Sequence, residues 1–195
     1  PNSGNIFIDD NNYKDISTKS IRDLIGLVSQ DSILFNDSIR NNIALGKDDA
    51  TEEDIVEGFI SVIPNTGLLG RWQVLQQNPT VICDTAHNRE GLAYVIKQLQ
   101  EQKYNQLHFV LGSVTDKDLD AILPLFPKNA NYYFCRPDVP RGLDVKVLAE
   151  KAAEYGLKGE SFSSVTKALK QAKLKATDAD LIFVGGSTFV VAEVV

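Results

Sequence analysis

Four short apolar runs, separated by segments of helical periodicity, constrain the fold of this chain more than any other feature. Each run is five or six residues long and rich in β-branched and aromatic side chains. Runs in which nearly every position is apolar are typical of strands buried on both faces of a sheet. They lie at residues 80–84 (TVICD), 107–112 (LHFVLG), 131–135 (NYYFC) and 181–185 (LIFVG).

Between the runs, apolar residues recur at three- and four-residue spacing, as they do on the buried face of an amphipathic helix. The three predicted faces are Leu92, Val95, Ile96 and Leu99; Leu119, Ile122, Leu123 and Phe126; and Val165, Ala168, Leu169 and Ala172. Strands that alternate with helices favour a mostly parallel sheet covered on both faces. The sequence therefore predicts an α/β fold with a Rossmann-like sheet.

The first 57 residues have a different pattern and predict a small mixed α/β segment. Thr51 and Asp54 have the spacing of a capping box, which opens a helix. A segment of about 60 residues with so little apolar material is marginal as an independent domain. The other predicted elements are strands at 5–9 and 26–29 and short helices at 19–24 and 37–45.

Composition limits the classes of partner. The net charge of -6 and the pI of 4.9 argue against a broad nucleic-acid surface, which needs clustered Lys and Arg. No apolar run approaches the ~18–20 residues of a membrane span. Cys83 and Cys135 lie far apart without a C-x-x-C pattern, which favours reduced thiols in a protein core. We therefore expect a cytoplasmic protein.

The order of motifs in the first segment resembles an ABC-transporter nucleotide-binding domain, over about residues 1–57. In that family the glutamine at the position of Gln30 reaches the metal and the attacking water, so the resemblance makes Gln30 a cofactor-binding candidate. Asp10 departs from the family, which usually has a turn glycine there. The motifs are residues 2–9 (NSGNIFID), 20–22 (SIR), 26–35 (GLVSQDSILF) and 38–43 (SIRNNI).

The first segment lacks the phosphate loop of that family. A phosphate loop needs G-x-x-x-x-G-K-[ST], whose backbone N–H groups, lysine and hydroxyl hold phosphate and magnesium. The nearest candidate, Gly46-Lys47, has Asn41 in place of the first glycine and Asp48 in place of the hydroxyl residue. We therefore expect no ATPase activity from this segment.

Two polar clusters in the later part carry the sharper signal: residues 67–73 (GLLGRWQ) and 83–88 (CDTAHN). The second cluster lies where a predicted strand ends and a helix begins. Ligands of open α/β sheets gather at the carboxyl ends of strands, beside helix N-termini that favour anions. A carboxylate there can accept ribose hydroxyls, and an upstream arginine can neutralise a phosphate.

These clusters resemble the G-R-W-Q and D-x-A-H-N motifs of folylpolyglutamate and dihydrofolate synthases, members of the Mur ligase superfamily. The resemblance covers about residues 58–195. Thr85 stands where glycine is common in the family, and Ser113 where methionine is common. Further matching segments are residues 112–118 with D-K-D, 136–143 with R-x-x-x-P-R, and 185–189 with G-S.

The resemblance implies an ATP-dependent ligase that phosphorylates a folate carboxylate, which the amino group of glutamate then attacks. It implies that Arg71 contacts the phosphates, that Asp84 contacts the ribose, and that His87 and Asn88 line the nucleotide and glutamate side of the cleft. Ser187 is a further binding candidate. The family's phosphate loop, magnesium ligands and most of its folate pocket belong to an N-terminal domain outside the matched region. We therefore expect ATP and magnesium to bind only together with that domain, and the chain alone to be inactive.

Each candidate also has a structural interpretation. Asp84 alone could be a helix cap, since Asp is common at strand–helix junctions. His87 alone could be a structural histidine, and His108, inside an apolar run, is predicted to be one. Trp72 is predicted to contribute packing. The residues at 116–118 (DKD) could be a solvated helix start.

Two other functions stay open at this stage. The chain could be a binding or scaffold protein in which the ABC-like segment supplies extra strands or a docking helix. It could also be part of a transporter ATPase, to which the Q-loop match at Gln30 points. The missing phosphate loop and membrane span make the transporter the weakest of the three hypotheses.

Overall fold

The computed structural model describes residues 3–23, 36–44, 47 and 49–195, so Gln30 and the strand predicted at 26–29 lie outside the described residues. Backbone contacts divide the chain into two compact units, Pro1–Asn65 and Thr66–Val195. The sequence-based boundary after residue 57 falls within a helix, Glu52–Ile60. The division into an ABC-like and a ligase-like segment therefore stays a prediction at that position.

The first unit is a small mixed α/β segment, and no residue described in it is buried. In its capping box, Asp54 N donates to Thr51 Oγ1 at 3.1 Å and Thr51 N donates to Asp54 Oδ2 at 2.9 Å, as the spacing predicts. The elements are the antiparallel strands β1 (Phe7–Ile8) and β2 (Asn11–Asn12), a 3-10 turn (Tyr13–Asp15), and helices α1 (Thr18–Asp23), α2 (Ile39–Ala44), α3 (Glu52–Ile60) and α4 (Val62–Thr66), the last of which ends at the first residue of the second unit.

The second unit contains a six-stranded sheet in the order β3-β4-β8-β5-β6-β7. The strands are β3 (Gln73–Gln76), β4 (Thr80–Cys83), β5 (Leu107–Gly112), β6 (Asn131–Cys135), β7 (Gly159–Phe162) and β8 (Leu181–Gly185). All neighbours are parallel except β3, which is antiparallel to β4. The predicted α/β class with a mostly parallel sheet is confirmed.

All four apolar runs form strands, namely β4, β5, β6 and β8. The sequence pattern missed β3 and β7 because both are edge strands. An edge strand does not need apolar side chains on both faces, and β7 is largely exposed and carries Glu160. Edge strands of this kind resemble loops in composition.

The helices of the second unit cover both faces of the sheet. They are α5 (Arg89–Gln100), α6 (Leu119–Ile122), α7 (Val145–Glu154), α8 (Val165–Lys175) and α9 (Thr188–Ala192). Helices α5, α6 and α7 pack in one apolar cluster and α8 and α9 in the other. The predicted helix over 119–126 is divided: α6 ends at Ile122 and a 3-10 turn follows, in which Pro124 has no N–H for a helical hydrogen bond.

Strand residues alternate between the two clusters, which fixes the register of the sheet. Phe109 belongs to the α5–α7 side and Val110 to the α8–α9 side. The Phe109 ring lies 4.9 Å from the Phe183 ring and 5.1 Å from that of Phe126, measured between centroids. A one-residue slip would exchange the faces of every side chain, so this packing holds the strand ends in place.

Candidate functional site

The strand order of the sheet brings four loops together at the carboxyl ends of its four central strands. Strands β4, β8, β5 and β6 are adjacent and parallel, so their carboxyl ends lie side by side. The loops that follow them carry four of the five segments that resemble ligase motifs, and the fifth, residues 67–73, leads into β3. The carboxyl ends of the strands are where ligands of open α/β sheets bind.

A cavity of about 170 Å³ opens between these loops. It combines a carboxylate, two cations, an imidazole and hydroxyl groups. Of the predicted site residues it contains His87 and Ser187, whereas Arg71, Asp84 and Asn88 do not line it. Its lining residues are His87, Val114, Asp116, Lys117, Arg141, Ser187, Thr188 and Phe189.

Asp84 lies directly after β4 and only 8% of it is exposed. Its Oδ1 accepts a hydrogen bond from Ala86 N at 2.8 Å, and its Oδ2 accepts one from Trp72 N at 2.7 Å. The carboxylate therefore joins the Gly70–Trp72 stretch to its own loop. The helix cap is a different residue: Asn88 caps α5 by accepting a hydrogen bond from Gly91 N at 2.8 Å.

The loop before β3 lies beside residues 84 and 85. Thr85 N donates to the carbonyl oxygen of Gly70 at 2.8 Å, and Gly70 N donates to Gln73 Oε1 at 2.7 Å. Both Gly70 (φ 75°) and Trp72 (φ 43°) have left-handed backbone conformations. The backbone at Arg71 is thereby brought next to Asp84, with the Arg71 side chain exposed.

His87 is oriented by its own loop. Its Nδ1 lies 3.0 Å from the carbonyl oxygen of Thr85. A carbonyl oxygen only accepts, so Nδ1 carries the hydrogen, and in the neutral ring Nε2 is an acceptor. The imidazole lines the cavity and is exposed. His87 can therefore accept a hydrogen bond from a ligand.

Ser187 is buried at the start of α9, where its Oγ accepts a hydrogen bond from Phe189 N at 3.2 Å. The preceding Gly186 has φ 93°, and a Cβ there would lie 2.5 Å from Leu111 Cδ1 and 2.8 Å from the carbonyl oxygen of Gly112. Only glycine allows the chain to pass this close to β5. This close passage holds Ser187 at the cavity.

The loops after β5 and β6 are joined by Arg141. Its Nη1 lies 3.0 Å from Asp116 Oδ2, and its guanidinium carbon lies 4.7 Å from the centroid of the Phe189 ring. Backbone hydrogen bonds reinforce the pair, since Thr115 N donates to Arg141 O at 2.9 Å. Arg141 therefore joins the loop after β6 to the loop after β5 and to α9, and residues of all three line the cavity.

The binding candidates taken from the motifs omit the cavity residues Asp116, Lys117 and Arg141. The sequence does indicate Lys117 and Arg141, together with Arg71, as local basic groups that could hold a small anion. The signal was present, because the D-K-D run follows β5 and the R-x-x-x-P-R run follows β6. Both runs lie at carboxyl ends of strands that the sequence correctly predicted. The sequence did not indicate the strand order. In the structure β8 lies between β4 and β5, and this order brings the loops around the cavity together.

Two findings on the described residues bear on cofactors and membranes. No group of three or more His, Cys, Asp or Glu side chains there is arranged to hold a metal ion. None of the described helices has the length and hydropathy that crossing a bilayer requires.

Known proteins match both parts of the chain. The second part is 36% identical over 125 residues to a probable bifunctional folylpolyglutamate synthase/dihydropteroate synthase of Haloferax volcanii, covering 64% of this chain and 15% of that protein. A putative multidrug export ATP-binding/permease protein of Staphylococcus aureus is 54% identical over 55 residues, which is 28% of this chain and 10% of the relative. The chain thus spans a small part of either relative.

Solved structures share the fold. Escherichia coli FolC in complex with DHPP and ADP superposes with a TM-score of 0.69 at 29% identity, covering 80% of this chain and 36% of FolC. A bifunctional folylpolyglutamate synthase/dihydrofolate synthase with Mn, AMPPNP and L-glutamate bound gives a TM-score of 0.63 at 28% identity, covering 76% of this chain and 35% of the other. The family model "Mur ligase, glutamate ligase domain" matches residues 70–188, more than half of the chain, and the chain therefore belongs to the Mur ligase family through this domain.

Proposed function

We propose that the second unit is the C-terminal half of the active site of an ATP-dependent ligase that joins glutamate to a folate. The observation that supports this proposal best is the cavity at the carboxyl ends of β4, β5, β6 and β8. It is lined by His87, Lys117, Arg141 and Ser187, which come from four different loops. The folylpolyglutamate synthases that match the second part of the chain carry this activity in their names, whereas the multidrug export protein matches the first part.

The chemistry of the lining suits a zwitterion such as an amino acid. Lys117 and Arg141 are cations that attract a carboxylate. The carboxylate of Asp116 and the acceptor Nε2 of His87 suit an ammonium group. Both signs of charge lie within one cavity of about 170 Å³, so a small molecule can contact both at once.

In the proposed reaction, a folate carboxylate attacks the γ-phosphorus of ATP and the bond to ADP breaks. The amino nitrogen of glutamate, after its ammonium group has lost one proton to water, then attacks the acyl carbon. Phosphate leaves and takes up the second proton of the nitrogen as the amide forms. Holding the amine in place is the part of this reaction that the second unit would perform. Arg71 would contact the phosphates and Asn88 the nucleotide side of the cleft. Asp84 would act on the nucleotide either by contact with the ribose or by positioning the groups that bind it.

We further propose that this chain does not turn over by itself. Phosphoryl transfer depends on a phosphate loop and magnesium, which the family places in another domain. The sequence contains no G-x-x-x-x-G-K-[ST]. ATP and magnesium would be bound once such a domain is present, and the ABC-like segment at residues 1–57 would not replace it.

Calorimetric titration with L-glutamate tests the proposal. We expect weak saturable binding that falls by roughly tenfold or more in Arg141→Ala, because a charge-assisted hydrogen bond is lost. The matched control is Lys170→Ala, which removes one exposed positive charge on α8, away from the cavity. Binding that is unchanged in Arg141→Ala, or no binding to the wild type, contradicts the proposed function. Release of ADP by the chain alone with ATP, magnesium, folate and glutamate contradicts the proposed inactivity.

A further inference from the structure

We propose that Asp84 is a positioning residue whose carboxylate holds the Gly70–Gln73 loop against the loop that carries His87. The roles of Arg71 and His87 in binding rest on the proposed function. The connection between the two loops does not, because it is a property of the fold. Asp84 makes this connection when no ligand is present.

Asp84 accepts hydrogen bonds from both loops. One carboxylate oxygen accepts from Trp72 N, in the loop before β3, and the other accepts from Ala86 N, next to His87. A second, parallel connection runs from the carbonyl oxygen of Gly70 through the backbone of Thr85 to the ring of His87. The two loops are therefore joined twice, and Asp84 supplies the side-chain connection.

The loop that Asp84 holds has a strained backbone at Trp72. Trp72 is not glycine and yet has φ 43°, in the left-handed region that side chains with a Cβ rarely adopt. Such a conformation persists only where surrounding contacts maintain it. The N–H of Trp72 is the group that donates to Asp84, so this hydrogen bond acts on the strained residue itself.

The Asp84 carboxylate offers a ligand little accessible surface. Asp84 is only 8% exposed, and each oxygen already accepts a backbone hydrogen bond. A direct contact with a ribose would have to use the remaining lone pairs of a nearly buried group. If Asp84 positions Arg71 and His87, its removal weakens binding of any phosphate-bearing ligand, with or without a ribose.

Trp72 is the only tryptophan of the chain, so its fluorescence reports on the held loop without any ligand. Its ring packs against Phe183 at a centroid distance of 6.4 Å. In Asp84→Ala we expect a red-shifted emission and easier quenching by acrylamide. Asp84→Asn keeps one acceptor oxygen, and we expect an intermediate change.

Asp180→Ala is the matched control. Asp180 is 7% exposed and also accepts backbone hydrogen bonds, from Gln106 N and Thr177 N. It directly precedes β8, at the amino ends of the strands and away from the cavity. General loss of stability affects both alanine variants. A change in Trp72 that is confined to the Asp84 variants supports the proposal, and equal changes in the Asp180 variant contradict it.

Amide hydrogen exchange in the wild-type chain provides a test that does not depend on a variant that folds. We expect the Trp72 N–H to be protected, because it donates to a nearly buried acceptor. Exchange at the rate of an unstructured amide overturns the proposal. The ring nitrogens of His87 can be followed in the same samples, where they report its tautomer. In Asp84→Ala we expect a smaller fraction of His87 to carry its hydrogen on Nδ1.

A ligand titration separates positioning from ribose contact. The chain alone is expected to make at most weak nucleotide contact, and ADP and pyrophosphate serve as probes of that contact. Positioning predicts a similar loss of affinity for both in Asp84→Ala, roughly tenfold or more. A loss for ADP alone assigns Asp84 to the ribose and overturns the proposal. If the wild type binds neither probe, the proposed nucleotide contact of this chain is wrong. The fluorescence and exchange measurements still decide the role of Asp84.

Discussion

Arg141 pairs with Asp116 across two loops, with 3.0 Å between Nη1 and Oδ2, although the residues are 25 positions apart in the chain. Both side chains are about half exposed, and the guanidinium also lies over the ring of Phe189. Arg141 is therefore held in place by an internal anion at the mouth of the cavity. A ligand phosphate or carboxylate that binds Arg141 has to compete with Asp116.

We expect Asp116→Ala to bind pyrophosphate more tightly, by about two- to fivefold. The reason is that an exposed ion pair contributes only up to about 1 kcal/mol, and its removal releases Arg141 for the ligand. Calorimetry at low salt measures the change. Arg141→Ala serves as the opposite control and should bind more weakly. Weaker binding in Asp116→Ala would show that Asp116 assists the ligand rather than competing with it.

His108 is a buried histidine whose environment opposes protonation. Its Nδ1 lies 2.9 Å from Tyr133 Oη, and its Nε2 lies 3.6 Å from Asp180 Oδ2, beyond hydrogen-bonding distance. Within the described residues, no group lies close enough to hydrogen-bond to Nε2. Burial lowers the pKa of His108, and the charge of Lys175 lowers it further, against the attraction of Asp180.

Stability should therefore fall as the pH decreases from neutral. The pKa of His108 is below its ordinary value in the folded state, so the unfolded state binds more protons once the pH drops under about 6.5. The stability from the neutral ring is complete above that pH and is lost toward the folded pKa, with a slope of at most about 1.4 kcal/mol per pH unit.

Urea unfolding at several pH values measures this effect. We expect His108→Gln to have a shallower pH dependence below pH about 6.5 than the wild type. The chain has only one other histidine, His87, which is exposed, so His87→Gln is the matched single-histidine control. A His108→Gln profile that parallels the wild type would contradict the assignment.

Gly70 should tolerate no side chain. It has φ 75°, and a Cβ would lie 2.7 Å from Val191 Cγ1 and 2.8 Å from Thr85 Cγ2. We expect Gly70→Ala to lose about 2–4 kcal/mol of unfolding free energy, from the left-handed backbone and the clash together. Gly67→Ala is the matched control, because Gly67 has φ 64° but open space around it. It should cost only about 1 kcal/mol, and equal costs for the two variants would exclude the clash.

The two units should differ in resistance to proteases. No described residue of the first unit is buried, whereas the second contains two apolar clusters that cover both faces of its sheet. We expect limited proteolysis to cleave near residues 57–66 and leave a resistant C-terminal fragment. Mass spectrometry of the fragments identifies the cleavage sites. A resistant fragment that includes the first unit would support an integral role for it in the fold.

Sequence patterns predicted most of the sheet correctly where burial leaves few choices. Strands β5 and β8 are enclosed on both faces, so nearly every position must be apolar, and such a run is visible in the sequence. The face of α5 formed by Leu92, Val95, Ile96 and Leu99 was visible for the same reason. Edge strands such as β7 escaped because water can cover one of their faces.

The cavity could not be predicted residue by residue. Arg71 and Asn88 were candidates from the motifs but do not line it, while Arg141 does. The motif at 83–88 is contiguous in sequence, yet its side chains diverge: Asp84 turns to backbone N–H groups and His87 lines the cavity. Neighbouring residues in a loop need not share a surface.

By itself the sequence determined which segments are buried, since side-chain polarity and periodicity act locally. Only the tertiary structure decided which polar groups meet. Trp72 meets Asp84 because the antiparallel register pairs Gln73 with Cys83. Trp72, just before β3, therefore lies opposite Asp84, just after β4. Arg141 meets Asp116 because parallel β5 and β6 end side by side. Such contacts depend on strand order and register, which the packing of the whole sheet selects.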